Sequence, residues 1–156
     1  MAEIDPSARP IRIMPPVYLL AAILAMIGLH YFLPGTTLIE SPWRWLGAAI
    51  LLGGLGVGFA AVRLFSKYRT TIKPGEVSTH FMTDGPYRFT RNPIYLGMAM
   101  IPAGVATMLG TATPWLVLPV FIAVIARNVI PLEEAVMART FGADYEAYRA
   151  RVRRWI

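Results

Sequence analysis

Charged, aromatic and helix-starting residues are concentrated at one point of the chain: Asp84-Gly85-Pro86-Tyr87-Arg88, then Arg91-Asn92-Pro93-Ile94-Tyr95-Leu96-Gly97. Pro93 suits the first turn of a helix, where the amide N–H groups that follow have no partner within the helix. With Arg91 alongside they favour an anion, such as the carboxylate of an amino-acid-like ligand. The second chemically loaded point is Glu133-Glu134, an acidic pair directly after an apolar stretch. Carboxylates beside hydrocarbon are costly unless paired, so they invite an amino group, ribose hydroxyls or a sulfonium. Both features also have plainer readings. Arg88, Arg91, Tyr87 and Tyr95 suit interfacial anchors, and the acidic pair suits the positive end of a helix.

Other chemistries are excluded by composition. The chain has no Cys, which removes disulfides, thiolate nucleophiles, iron–sulfur clusters and Cys-based zinc sites. Two widely separated histidines, His30 and His80, make a poor metal site, so no metal is expected. Any reaction must rest on carboxylates, Arg, Tyr, backbone groups or a bound organic cofactor.

The elements that must position these groups are membrane helices. Of 156 residues, 56% are hydrophobic and 15% charged, too apolar for an ordinary soluble domain. A spanning helix needs about 20 mainly apolar residues, and the segments Ile13 to Leu33, Trp43 to Phe65, Ile94 to Leu109 and Pro114 to Ile130 qualify. The length supports a single domain over 1–156, and the first apolar run, with no small-residue cleavage site behind it, reads as a retained span. Pro102 and Pro119 predict kinks in the last two spans. Gly47, Gly53, Gly54, Gly56 and Gly58 let the second span approach a neighbour closely.

The net charge of +6 points to anionic lipid and not to nucleic acid, because the basic residues cluster beside apolar segments. Lys67, Arg69, Lys73, Arg88 and Arg91 lie between spans two and three. Arg139, Arg149, Arg151, Arg153 and Arg154 lie in the tail, and Arg9 and Arg12 precede the first span. The positive-inside rule therefore places the loop 70–93 and both termini in the cytoplasm, as an even number of spans requires. In the tail 131–156, Pro131 suits a helix start, Gly142 a stop and Asp144 the cap of a second helix. Val136, Phe141, Tyr145, Tyr148 and Val152 form one apolar stripe, so the tail lies along the membrane surface or folds back on the bundle.

The string GPYRFTRNPIYLG, Gly85 to Gly97, followed by a span and then EEAVMARTFGADYEAYRARVRRWI, Glu133 to Ile156, resembles the isoprenylcysteine carboxyl methyltransferase and phospholipid N-methyltransferase superfamily of integral membrane methyltransferases. The lead-in TTIKPGEVSTHFMTDG, from Thr70, looks like the same family, so the resemblance covers about the C-terminal half. It implies an all-α bundle of four transmembrane helices with a cytoplasmic loop and amphipathic C-terminal helices, using S-adenosylmethionine as methyl donor. The implied donor residues are Tyr87, Arg91, Asn92, Pro93, Tyr95, Gly97, Glu133 and Glu134, with Arg91, Tyr95 and Glu134 in catalytic roles. The implied acceptor is a lipid-like or membrane-partitioned molecule, methylated on oxygen or nitrogen at the cytoplasmic face.

The chain departs from the family pattern at three points. Asn92 stands where many members have His, keeping a hydrogen bond but no acid/base role. Ile130 stands four before Glu134, where the carboxyl methyltransferase subgroup tends to place an Arg, and Arg127 is two turns away. Gly97 is followed two residues later by Ala99, where some phospholipid methyltransferases have a second Gly. Methyl transfer from a sulfonium is an in-line displacement that needs alignment and exclusion of water, so neither Cys nor metal is required. An amine acceptor must lose a proton, for which Glu133, Glu134, Asp84, Tyr95 and His80 are all candidates. Two other readings stand beside this one: an NADPH-dependent membrane reductase of sterol-like double bonds, and a non-enzymatic small membrane partner protein.

Overall fold

The computed structural model describes residues 13–70 and 80–156. Five α-helices follow one another: α1 Pro15–Phe32, α2 Trp45–Lys67, α3 Pro93–Leu109, α4 Val117–Asn128 and α5 Ile130–Arg151. Two 3₁₀ turns precede helices, Gly85–Arg88 ahead of α3 and Thr113–Leu116 ahead of α4. Among the described residues there is no strand, and Thr37 and Thr111 form an isolated antiparallel bridge. The expected all-α membrane bundle is therefore the observed architecture. Pro15–Phe32, Trp45–Lys67 and the continuous helical stretch Thr113–Arg151 are long and apolar enough to cross a membrane, and Pro93–Leu109 is a shorter apolar helix. Arg9, Arg12, Lys73 and part of the expected loop 70–93, namely 71–79, lie outside the described residues.

Antiparallel packing of α2 on α3 is the tightest contact in the bundle. A Cβ on Gly47 would come within 2.4 Å of the Gly104 carbonyl oxygen, and one on Gly104 within 2.5 Å of the Gly47 carbonyl. Two turns along, a Cβ on Gly54 would lie 2.7 Å from the Gly97 carbonyl, and one on Gly97 2.5 Å from that of Gly54. Lipid supplies no hydrophobic drive for helix association, so the gain comes from backbone surfaces meeting with nothing between them. Of the glycines expected to serve packing, Gly47 and Gly54 do so. Gly56 and Gly58 would carry a Cβ with nothing within 4 Å.

On the other side of α3, a core forms from Ala22, Tyr95, Ala99, Phe121, Ile125, Val129 and Ile130, with Tyr18, Leu19 and Trp155 packed against it. Leu20, Leu24, Leu52, Leu55, Phe59 and Val120 are exposed, the outward apolar surface that a lipid solvent requires. The end of α2 carries a second cluster in which Ala61, Leu64 and Phe65 meet Met82, Tyr87 and Ile94. Helix α2 runs to Lys67, past the expected limit at Phe65, because hydrogen bonding continues where apolar composition stops.

The fourth span differs from expectation. It is not one helix over 114–130: a 3₁₀ turn opens it, α4 follows, and Val129 (φ −112°, ψ −60°) separates α4 from α5. Pro119 falls in the first turn of α4, where a missing N–H costs no helical bond, so the kink expected there does not follow. Pro102 is interior to α3 and removes the bond to the Met98 carbonyl. In the tail, Pro131 lies in the first turn of α5 as expected. Gly142, at φ +49° and ψ −120°, leaves the helical conformation and divides α5 into two helical halves, as expected of a stop before a second helix; few other residues adopt that conformation.

Candidate active site

The bend at Gly142 turns the second half of α5 back toward the entrance of α3. The tail folds onto the bundle. Phe81 stacks on Phe141, with ring centroids 5.0 Å apart, and meets Tyr148 edge-on at 5.3 Å. The buried Tyr148 hydroxyl donates to the Tyr87 carbonyl at 2.7 Å. Beyond α5, residues 152–156 form a strap across the motif. The Arg91 amide donates to the Arg153 carbonyl at 2.9 Å, and Thr90 Oγ1 and Asn92 Nδ2 both donate to the Arg154 carbonyl, at 3.1 and 3.0 Å. A groove of about 360 Å³ runs beside the strap, lined by Thr83, Asp84, Arg88, Tyr148, Arg151 and Val152.

Beneath the strap the expected acidic pair meets the expected motif. Glu134 Oε1 lies 3.3 Å from Arg91 Nη2, with both side chains nearly enclosed at 13% and 11% exposure. Tyr95, in the first turn of α3, donates its hydroxyl to Glu133 Oε1 at 2.6 Å. Arg91 Nε and Nη1 are buried without a hydrogen-bond partner among the described residues. An arginine left with two dry, unpaired donors is an expensive arrangement unless something anionic joins it. The Asn92 side chain does not cap α3, being held by the Arg154 carbonyl, so the first-turn amides of α3 are not closed by their own N-cap.

Burial raises the Glu133 carboxyl to about 7, reinforced by the neighbouring Glu134 charge and opposed by the hydrogen bond from Tyr95. Burial also raises the Tyr87 hydroxyl, and the Glu133 charge adds to the shift, so Tyr87 senses the acidic pair. Asp84 is engaged elsewhere. Tyr68 donates to its Oδ2 at 2.5 Å, which holds the carboxyl below its ordinary value, and Arg88 lies 3.9 Å away.

The structure thus gathers Arg91, Asn92, Pro93, Tyr95, Glu133 and Glu134, with Tyr87 alongside. Gly97 stands apart: its Cα faces Gly54 and Gly58 of α2, and its part in the site is to let α3 lie close. Two residues went unnoticed in the sequence. Thr90, 2% exposed, accepts from the Asn92 amide and donates to the strap. Arg154 binds Glu134 at two points through one edge of its guanidinium, Nε donating to Oε1 at 3.1 Å and Nη2 to Oε2 at 2.5 Å. A Thr two residues before the Asn that precedes Pro93 was a readable signal for the first, since its hydroxyl can accept from that backbone amide. Nothing in a tail bearing Arg149, Arg151, Arg153 and Arg154 distinguishes the last from its neighbours.

No solved structure matches the chain. An uncharacterized protein of Haemophilus influenzae (strain ATCC 51907 / DSM 11121 / KW20 / Rd) is 35% identical over 63 residues, spanning 40% of this chain and 100% of that protein. The family model described as phospholipid methyltransferase matches residues 42–144, from the turn before α2 into the second half of α5. That stretch holds the glycine-packed helix pair, the motif at the α3 entrance and the acidic pair, and on this ground the integral membrane protein belongs to the phospholipid methyltransferase family.

Proposed function

We propose that this chain transfers a methyl group from S-adenosylmethionine to a lipid-like acceptor, on oxygen or nitrogen, at the cytoplasmic face of a membrane. The observation that carries the reading is Arg91, whose buried Nε and Nη1 have no partner among the described residues and whose Nη2 is engaged by Glu134. These donors fit the carboxylate of an amino-acid moiety, and Glu133 fits its ammonium or a ribose hydroxyl. When bound, the donor supplies an activated methyl on a sulfonium. The residues of the chain hold, align and keep dry.

In this reading Arg91 and the uncapped first turn of α3 bind the carboxylate, with Asn92 and Pro93 fixing that turn and Tyr87 closing one side. Tyr95 donates its hydroxyl to Glu133 across a 2.6 Å contact beside the entrance of α3 and so orients that carboxyl. With its carboxyl near neutrality, Glu133 is suited to accept the proton of an ammonium acceptor. Glu134 keeps Arg91 oriented. Gly97 contributes by packing. Lys67, Arg69, Arg88 and the tail arginines on this end of the bundle support a cytoplasmic orientation.

The test is thermal shift and calorimetry on the detergent-purified protein with S-adenosylmethionine and NADPH side by side, since a ligand at 100 times its Kd stabilises by about 2.7 kcal/mol. A response to S-adenosylmethionine alone is expected, followed by transfer of labelled methyl into a lipid extract. A response to NADPH alone would overturn the reading in favour of a reductase. No response to either would favour a partner protein.

A further inference from the structure

Three charged side chains meet under the strap, and their arithmetic is informative. Arg91 and Arg154 each carry one positive charge and Glu134 one negative, so the trio is left with a net positive charge in a nearly enclosed place. Glu134 is saturated. The fork of Arg154 takes both its oxygens, and Arg91 reaches only Oε1, at 3.3 Å and through Nη2 alone. Arg91 therefore keeps Nε and Nη1 unspent. Were Glu134 not held by Arg154, its carboxylate would be free to turn onto the fork of Arg91 and pair with it in two-point fashion, through Nη2 and one of those two donors.

We propose that Arg154 is a positioning residue for the methyl donor: by clamping Glu134 it keeps the guanidinium of Arg91 open to the donor's carboxylate. The inference rests on the donor reading above and extends it to a residue beyond the family-matched stretch 42–144. The strap delivers Arg154 in fixed register. The carbonyl of the same residue is held by Thr90 and Asn92, the preceding carbonyl by the Arg91 amide, and Trp155 packs on the core of the bundle. Motif, strap and carboxylate form one closed circuit, Arg91 to Glu134 to Arg154 and back through the backbone to Arg91. Arg153 enters that circuit only through its carbonyl, which accepts from the Arg91 amide, and its side chain is exposed, so it serves as an internal comparison.

The experiment measures S-adenosylmethionine affinity by calorimetry, and melting temperature without ligand, for the full chain and for Arg154→Gln, Arg154→Lys, Arg153→Gln and Glu134→Gln. Arg154→Gln is expected to weaken donor binding about tenfold or more, the scale of one charge-assisted hydrogen bond. Arg154→Lys, keeping charge and losing the fork, should recover part of that, and Arg153→Gln should match the unaltered protein. The loss should fall on donor KM, with kcat at saturating donor little changed. Combining Arg154→Gln with Glu134→Gln should cost less than the sum of the two, because both act through Arg91. If Arg154→Gln does not fold, the comparison of Arg154→Lys with Arg153→Gln decides. Unchanged donor affinity in the Arg154 variants, whether or not the melting temperature falls, would overturn the proposal while leaving the donor reading intact. Failure of the unaltered protein to bind S-adenosylmethionine would remove both.

Discussion

The two ends of the bundle treat their polar groups in opposite ways. At the end formed by 33–44 and 110–116, the inward-turned polar side chains close on the protein itself, except that the buried Nε1 of Trp115 has no hydrogen-bond partner among the described residues. His30 Nδ1 meets Thr111 Oγ1 at 2.9 Å, Thr113 Oγ1 donates to the Leu33 carbonyl, and Arg44 Nε donates to the Ile39 carbonyl at 3.0 Å. The amides of Leu38 and Ile39 share the Gly110 carbonyl, which seals the turn. At the other end, Arg91 has buried donors to spare and Glu133 is a half-buried carboxyl with its pKa raised to about 7. Both ends are built of hydrogen bonds, but the second leaves two donors of a charged guanidinium unspent among the described residues, the first a single neutral indole N–H. That difference is what the proposed donor site rests on.

The comparison breaks most sharply at the two arginines. Arg91→Ala should lower S-adenosylmethionine affinity about a hundredfold, by loss of charge-assisted bonds, whereas Arg44→Ala should leave affinity unchanged and cost about 1 kcal/mol of stability. Titration calorimetry paired with thermal unfolding separates the two outcomes. The glycine contacts should behave likewise. Gly104→Ala and Gly97→Ala each force a backbone apart and should destabilise by about 1–3 kcal/mol. The folded remainder of Gly104→Ala should still bind donor normally, while Gly97→Ala, four residues into α3, should bind it poorly. Equal donor losses in both would mean that the ends are not independent.

Acidity offers a finer test. Because Glu133 is harder to ionise in the folded protein than in the unfolded chain, its penalty is absent at low pH and grows as pH rises from about 5 through 8. Melting temperature followed over that window should fall more steeply for the unaltered protein than for Glu133→Gln, and parallel curves would refute the assignment. The smallest effect is expected at the closed end. Thr111→Val should cost about 1 kcal/mol with no change in donor affinity at any pH, measured by the same melts.

Much of the fold was legible because the bilayer imposes it. Apolar runs marked the crossings to within a few residues, and the motif at Gly85 to Gly97 and the pair Glu133-Glu134 were recognisable as the chemistry. Their juxtaposition was legible in outline, through the resemblance, and the pairing of Tyr95 with Glu133 and of Arg91 with Glu134 fills it in. What the sequence did not disclose has a common cause. Helix α2 overran its apolar limit, α4 broke at Val129, and Arg154 reached Glu134, all through contacts in which residue type is no guide. An arginine that anchors at a lipid surface and one that clamps a carboxylate read alike until the bend at Gly142 sets the direction of the chain. Gly97 shows the converse: its place in the motif implied ligand contact, and the geometry gives it a backbone neighbour instead.

The unequal lengths of α2 and α3 fix how deep the chemistry lies. From the contact between Gly54 and Gly97, α2 continues 13 residues to Lys67, about 20 Å, whereas α3 reaches back only four residues to Pro93, about 6 Å. The mouth of α3 is thus recessed about 14 Å below the tip of its neighbour. Helix α3, at 17 residues about 25 Å long, is also shorter than a hydrocarbon layer of about 30 Å. On the proposed function and orientation, a lipid diffusing in the plane of its leaflet meets Arg91 and Glu133 near the level of its own headgroup and need not be lifted out of the bilayer to react.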